Sequence, residues 1–517
     1  MADSPARVSL WRYSPALVLF AIVIADIRQL SDPDLWGHIL WGRALLAHGS
    51  LPPNNIYSYS APDFRWLHHE WLSEVVMSAI FDRFGPFGLK LLKFLCTAGT
   101  ISFIVLAESE TGAPAGVQAV ITLIAALVIV PSMQFRPQLF DFILLSAIVT
   151  MLARHNWRGS APLWLAIPIM AIWSNLHGGF FIGLVAMGAY GAIAVVSDIL
   201  TGRGPRRGLV VIAITAAAAA STLCTFLIPP ARETWYTLIY SIRNPMTPGD
   251  IVDWKPLIAS LTTAPPGSLE QKYFVMVMLF FAAAVVSVIL RPRIADAPIV
   301  AVAAVLLASA FKAQRNIAIA TIATVPVFAY HLGLLLRPRE ASFAPAARAV
   351  PRAGRWIMEL VIACVALGFA RYSGILKPGI DASGNPAEAV DFMNSHGLVG
   401  NVLPNYAWGE YVLWHAQPGT RVFIDSRYDL GYPPKVIADF MALDRGKPGG
   451  VHTLVAYPTD FVLMKRDWPQ SKLMDSQPDW RLIYSDDVAR LYARADSPAA
   501  RLEGVPFKGT AKPSFFP

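Results

Sequence analysis

Between Asp32 and Glu74 the chain reads DPDLWGHILWGRALLAHGSLPPNNIYSYSAPDFRWLHHEWLSE, which sets Asp32, Asp34, His38, His68, His69, Glu70 and Glu74 among tryptophans and tyrosines. A carboxylate in such a stretch can act as general base on an acceptor hydroxyl or amine. Asp32 and Asp34 are the first candidates for that work, and Glu70 is a second acid in the same stretch. The mix of carboxylates and imidazoles also suits a divalent cation. Asp34 and His38 stand four residues apart, one helical turn, but no spacing here is diagnostic of a metal site. A plainer role exists for the acids, since Asp-Pro-Asp is a helix-start signal with either aspartate as N-cap.

The elements that must position these groups are membrane helices. Of 517 residues only 15% are charged, against roughly 25% in a soluble chain, so a soluble globular fold is excluded. Apolar runs near the length needed to cross a bilayer recur at Leu10–Ile27, Phe87–Ala107, Gly116–Val130, Leu139–Ala153, Leu163–Asn175, Phe180–Leu200, Leu209–Ile228, Tyr273–Leu290, Ala297–Phe311, Ile317–Leu336 and Trp356–Ala370. These make about eleven spans. The fold expected is mainly α, a polytopic transmembrane helical bundle over residues 1–370, with the first outer loop at 28–86. The net charge of +8 comes chiefly from loop arginines and lysines and gives no reason to invoke nucleic acid. The three cysteines lie in apolar runs and read as small buried hydrophobes.

With the N-terminus in the cytoplasm, alternation places Arg154 and Arg158, Arg203 to Arg207, Arg291 and Arg293, and Arg337 to Arg355 on the cytoplasmic side. That obeys the positive-inside rule and puts the Asp32–Glu74 stretch outside. Two amphipathic helices are expected within it, starting near Asp34 and Glu70, lying along the membrane surface and separated by turn-rich Gly49–Pro53 and Ser58–Pro62. The other outer loops carry Arg136 and Gln138 in QFRPQLFD, Asn175 and His177 in WSNLHGG, and Lys312, Arg315 and Asn316 in FKAQRN. Together with His38, His68 and His69 these are the substrate-binding candidates. Ionisable groups gathered at span ends on one side point to a cavity opening outward. Arginines there can grip a phosphate through paired N–H donors.

Residues 371–517 differ in kind. Short strands are expected at Val402–Leu403, Tyr411–Leu413, Arg421–Ile424, Asp460–Met464 and Val488–Ala493, with helices at Pro386–His396 and Lys435–Leu443. This is a small extracytoplasmic α/β domain. Ala344–Ala353 is a cytoplasmic Ala/Pro/Arg linker.

The run DPDLWGHILWGRALLAHGSLPPNNIYSYS…WLHHEWLSEVV, followed by RPQLFD, WSNLHGGFFIG and AQRNIA, resembles bacterial polytopic members of the GT-C glycosyltransferase superfamily. The resemblance covers most of the membrane region. It implies a catalytic acid just past the first span, carried over to Asp34 or Asp32, with Glu70 as second acid. It also implies a polyprenyl-phosphate-linked sugar as donor, an acceptor in the cell envelope, and a bacterial inner-membrane location with the reaction on the outer face. A divalent cation is used by some members of the superfamily. Asn405–Asp429 is faintly similar to a conserved region of oligosaccharyltransferase catalytic subunits, although the aspartate before Tyr-Gly is missing here. Trp408, Tyr411, Asp425 and Arg427 follow as second-rank acceptor-site candidates, with simple packing of the domain as the alternative. The competing readings are a lipid or glycolipid transporter and a non-enzymatic envelope assembly protein. A transporter is expected to show repeated halves and midplane polar groups, which this chain lacks.

Overall fold

A computed structural model describes residues 32–243, 252–336 and 384–509. The spans expected at Leu10–Ile27 and Trp356–Ala370, and the linker at Ala344–Ala353, lie outside the described residues. In chain order the helices are α1 (Leu35–His48), α2 (Trp71–Ser109), α3 (Ala115–Ile129), α4 (Gln138–Arg158), α5 (Ala166–Leu176), α6 (Phe180–Leu200), α7 (Arg206–Cys224), α8 (Pro229–Arg243), α9 (Leu257–Thr263), α10 (Leu269–Leu290), α11 (Ala297–Lys312) and α12 (Ile317–Leu335). Beyond them come α13 (Ala387–Ser395), β1 (Asn401–Pro404), α14 (Gly409–His415), β2 (Arg421–Val422), α15 (Pro434–Asp444), α16 (His452–Ala456), β3 (Phe461–Lys465), α17 (Pro469–Asp475), β4 (Trp480–Ser485) and β5 (Ala489–Arg494).

Among the described residues seven helices are long and apolar enough to span a bilayer: α2, α4, α6, α7, α10, α11 and α12. The shorter apolar helices α3 and α5 supply the remaining described counterparts of the expected spans. The chain is a multi-pass membrane protein. Helix is the form such runs must take, because hydrocarbon offers their backbone groups no other hydrogen-bond partner.

The described residues fall into two compact units. The first, residues 90–232 and 238–336, is the helical bundle. The second joins residues 32–89 and 233–237 to 384–509. The sequence boundaries assign 28–86 to the membrane domain; in the structure that stretch packs with the C-terminal domain instead. The reason is burial. Trp36, Tyr59 and Trp66 of the loop find their apolar cover among residues of the tail, as in the edge-to-face contact of Trp36 with Tyr411 at 5.0 Å and of Tyr59 with Phe423 at 5.7 Å.

The tail is built on a five-stranded sheet in the order β2-β1-β3-β5-β4. The β1–β2 and β1–β3 pairs are parallel, and β3–β5 and β4–β5 antiparallel. The loop adds itself to the β2 edge: Ser58 bridges Val422 in parallel, the Val422 amide donates to the Tyr57 carbonyl at 3.1 Å, and the Tyr59 amide donates to the Val422 carbonyl at 3.2 Å. This covers an edge that would otherwise present unpaired backbone groups. The stretch Tyr411–Leu413, expected as strand, is helical within α14. Trp408, Tyr411 and Val412 are all buried, a spacing of three and four residues that suits one face of a helix.

Helix α2 breaks at Gly85, whose φ of 60° lies in the left-handed region, directly before Pro86. A residue before proline is pushed out of the helical region, and glycine accepts the positive φ without strain. The break separates a surface segment from the span expected at Phe87. Nearer the start of α2, Gly42 of α1 sits so close that a Cβ there would lie 2.1 Å from the Glu74 carbonyl oxygen. Gly42→Ala therefore forces the two helices apart, an expected loss of about 1–3 kcal/mol by analogy with overpacked cores. A thermal melt of the purified variant matching wild type within a degree would contradict this contact.

Candidate active site

Within the loop-and-tail unit, α1 and the start of α2 bring most of the loop candidates together. Asp32 is buried, and its Oδ1 accepts the Asp34 amide at 3.0 Å, so its carboxylate shapes the turn into α1. Asp34 is half-buried at the α1 N-cap position, and its side chain makes no capping hydrogen bond. One turn on, buried His38 points Nδ1 at Glu74 Oε1, 3.3 Å away, and at Glu70 Oε2, 3.6 Å away. His68 Nε2 bonds the other Glu74 oxygen, and His69 Nε2 lies 3.3 Å from Glu70 Oε1. His38, Glu70 and Glu74 thus offer three ligand atoms all within 4.8 Å of one another. Burial alone would lower the His38 pKa. The hydrogen bond to Glu74 and the charges of Glu70, Glu74 and Asp34 outweigh it, and His38 holds its proton above the usual histidine range.

Glu74 is the group that sequence reasoning did not choose, yet it joins both His38 and His68. The signal was present: Glu70 and Glu74 are four residues apart at a helix start, so they share one face.

The tail holds this loop by a buried ion pair. Arg427 donates Nε to Asp425 Oδ1 at 2.8 Å and Nη2 to Asp425 Oδ2 at 2.5 Å. Its Nη2 also reaches Asn55 Oδ1 of the loop at 2.7 Å. The guanidinium lies over the rings of Trp66 at 4.6 Å, Trp41 at 5.1 Å and Tyr57 at 5.5 Å, all from the loop. Tyr428, next in sequence, takes a φ of 46°, an outlier for a bulky residue. Trp408, Tyr411, Asp425 and Arg427 are all buried.

The bundle unit gathers a second set at one end. Asp141, in the first turn of α4 and buried, accepts the Trp173 indole N–H at 2.6 Å and pairs with His177 Nδ1 at 2.5 Å. Arg136 donates Nη1 to Asp253 at 3.2 Å. Arg315 lies over Trp254 at 4.7 Å, and the Gln314 amide donates to the Lys255 carbonyl at 2.8 Å. The segment 253–255 therefore draws the Arg136 and Arg315 turns together. Gln138 is half-buried, and Lys312 is exposed at the end of α11. Asn175 and Asn316 have turned to backbone carbonyls, Asn175 Nδ2 to Ala171 at 2.7 Å and Asn316 Nδ2 to Ser309 at 3.2 Å. Two buried lysines passed over in the sequence, Lys90 and Lys93, follow the Gly85 break; Lys93 lies over Phe135 at 4.8 Å. Paired lysines three apart in the apolar run LKLLKFL were the available signal. Arg158 also pairs with Glu110 at 3.0 Å and Arg207 with Asp198 at 2.9 Å.

No protein-family model matches the chain, and no curated protein matches it in sequence. Solved structures do. The archaeal oligosaccharyltransferase AglB from Archaeoglobus fulgidus, solved with an inhibitory peptide and a dolichol-phosphate, superposes with a TM-score of 0.53 at 11% identity, over 88% of this chain and 69% of that one. The chain shares its fold with that oligosaccharyltransferase. ArnT from Cupriavidus metallidurans bound to undecaprenyl phosphate aligns at a TM-score of 0.48 with 14% identity, over 95% of this chain and 98% of that one.

Proposed function

We propose that this GT-C protein is a glycosyltransferase that moves a sugar from a polyprenyl-phosphate donor to an acceptor on the extracytoplasmic face. The observation that carries the reading is the division of labour between the two aspartates. Asp32 is buried and bonded to a backbone amide, whereas Asp34 stands half-buried at the start of α1 with its capping role unfilled by its own side chain. Asp34 is accordingly the base. It takes the proton from an acceptor hydroxyl or amine, whose lone pair attacks the anomeric carbon. The bond from that carbon to the phosphate oxygen breaks, and the polyprenyl phosphate leaves with the electron pair. The AglB structure, with its dolichol-phosphate, supports a lipid-phosphate donor for this fold.

The test is purified protein in nanodiscs supplied with radiolabelled undecaprenyl-phosphate pentoses and hexoses. Transfer or slow hydrolysis of label from at least one donor is expected. Binding without turnover by any donor would overturn the reading in favour of transport or assembly.

A divalent cation is a separable part of the proposal. His38, Glu70 and Glu74 suit one by donor type and mutual spacing, and Zn²⁺ or Mn²⁺ held there would add positive charge for the leaving phosphate. Since the cation must displace the His38 proton, which is held above the usual histidine range, affinity should already fall as pH drops toward that range from above. Metal-stripped protein is expected to gain thermal stability on adding either ion, and His38→Ala to lose that gain. Equal responses from the two proteins would remove the site.

A further inference from the structure

At the start of helix α1 the Asp32 carbonyl accepts the Leu35 amide at 3.2 Å. The first turn contains no acidic residue, and the Asp34 side chain makes no capping hydrogen bond. A helix start leaves several amides without intrahelical partners, and a side-chain oxygen ordinarily serves one of the second or third. Here that oxygen comes from 373 residues away: Glu410 Oε2, in the first turn of α14, accepts the Gly37 amide at 3.0 Å. Its other oxygen accepts the Ser426 hydroxyl. Glu410 is buried and so is Gly37. The approach needs glycine, because a Cβ on residue 37 would lie 2.2 Å from Glu410 Oε2.

We propose that Glu410 is a positioning residue for the transferase site, capping α1 in trans so that the Asp34 carboxylate is not drawn onto its own helix. The proposal rests on the reading of Asp34 as base. An aspartate at an N-cap ordinarily turns its carboxylate back onto the helix, where hydrogen bonding depresses its basicity. Handing the cap to Glu410 removes that demand. The tail domain thereby has a role in catalysis that does not require it to touch the donor. Burial, followed by the charges of Asp34 and Asp425, pushes the Glu410 carboxyl well above the usual carboxylate range. In either protonation state the carboxyl keeps an oxygen that can accept the Gly37 amide.

The amide of Glu410→Gln keeps an acceptor for Gly37 and supplies a donor to Ser426, whereas Glu410→Ala removes both. Two readouts on the full-length protein in nanodiscs separate the possibilities. Deuterium exchange of the peptide covering residues 35–41 reports the cap directly. Turnover of the radiolabelled undecaprenyl-phosphate sugar panel, with kcat and KM for the donor separated, reports its consequence. Glu410→Ala is expected to speed exchange there at least tenfold. It should also lower kcat at least tenfold with KM for the donor nearly constant. Glu410→Gln should restore both exchange and turnover. Unchanged exchange in Glu410→Ala, or a Gln variant as impaired as the Ala one, would overturn the inference. Full activity in Asp34→Asn would instead overturn the base assignment, and exchange alone would then decide the cap.

Discussion

Asp34→Asn should reduce sugar transfer by roughly 100- to 10,000-fold, the range of a lost general base, with little effect on folding. Amide for carboxylate is nearly isosteric, and the half-buried side chain makes no capping bond that folding depends on. Asp32→Asn should behave differently. Its Oδ1 accepts the Asp34 amide, and an asparagine can preserve that bond, so a modest loss of turnover is expected. Single-turnover rates with saturating donor separate these outcomes from weak binding. If Asp32→Asn were the silent-rate variant and Asp34→Asn near wild type, the roles are exchanged. If neither falls, the loop is not the catalytic centre.

The second large effect lies in the tail. Arg427→Met should destabilise the loop-and-tail unit by about 3–5 kcal/mol, because it strands the buried Asp425 carboxylate. Tyr432 still donates its hydroxyl to Asp425 Oδ2 at 2.8 Å and the backbone amide of residue 427 to Oδ1 at 3.1 Å, but two neutral bonds are a poor substitute for a bidentate cation. The double change Asp425→Leu with Arg427→Met should recover much of that loss, since paired apolar groups avoid the desolvation cost. Limited proteolysis of residues 49–70 is the sensitive measure. Arg427 bonds Asn55 and lies over Trp41, Tyr57 and Trp66, so freeing it should expose this segment. A single variant as resistant as wild type would show that the pair does not hold the loop.

These two experiments probe different ends of one chain of cause. Arg427 and Glu410 both stand in the tail, and both act on the loop that bears Asp34. Weakening either should reach turnover through the placement of α1.

Local sequence determined a great deal. Span length is set by bilayer thickness, a property of consecutive residues, and nine expected spans from Phe87 to Leu336 have described helical counterparts. Gly85–Pro86 marked the break between surface helix and span for the same local reason. That Asp32, Asp34, His38, His68, His69 and Glu70 share one acid- and imidazole-rich stretch was legible, whereas the meeting of His38 with Glu74, 36 residues on, was not. Contacts across hundreds of residues decided the rest, and no local pattern records them. Asn55 meeting Arg427, Ser58 joining the β2 edge and Glu410 capping α1 depend on which buried polar groups the fold makes mutual partners. The stretch from Asp32 to Glu74 read as a membrane-surface loop. Tertiary structure made it part of the C-terminal unit, because its tryptophans and tyrosines needed apolar cover that the tail supplies.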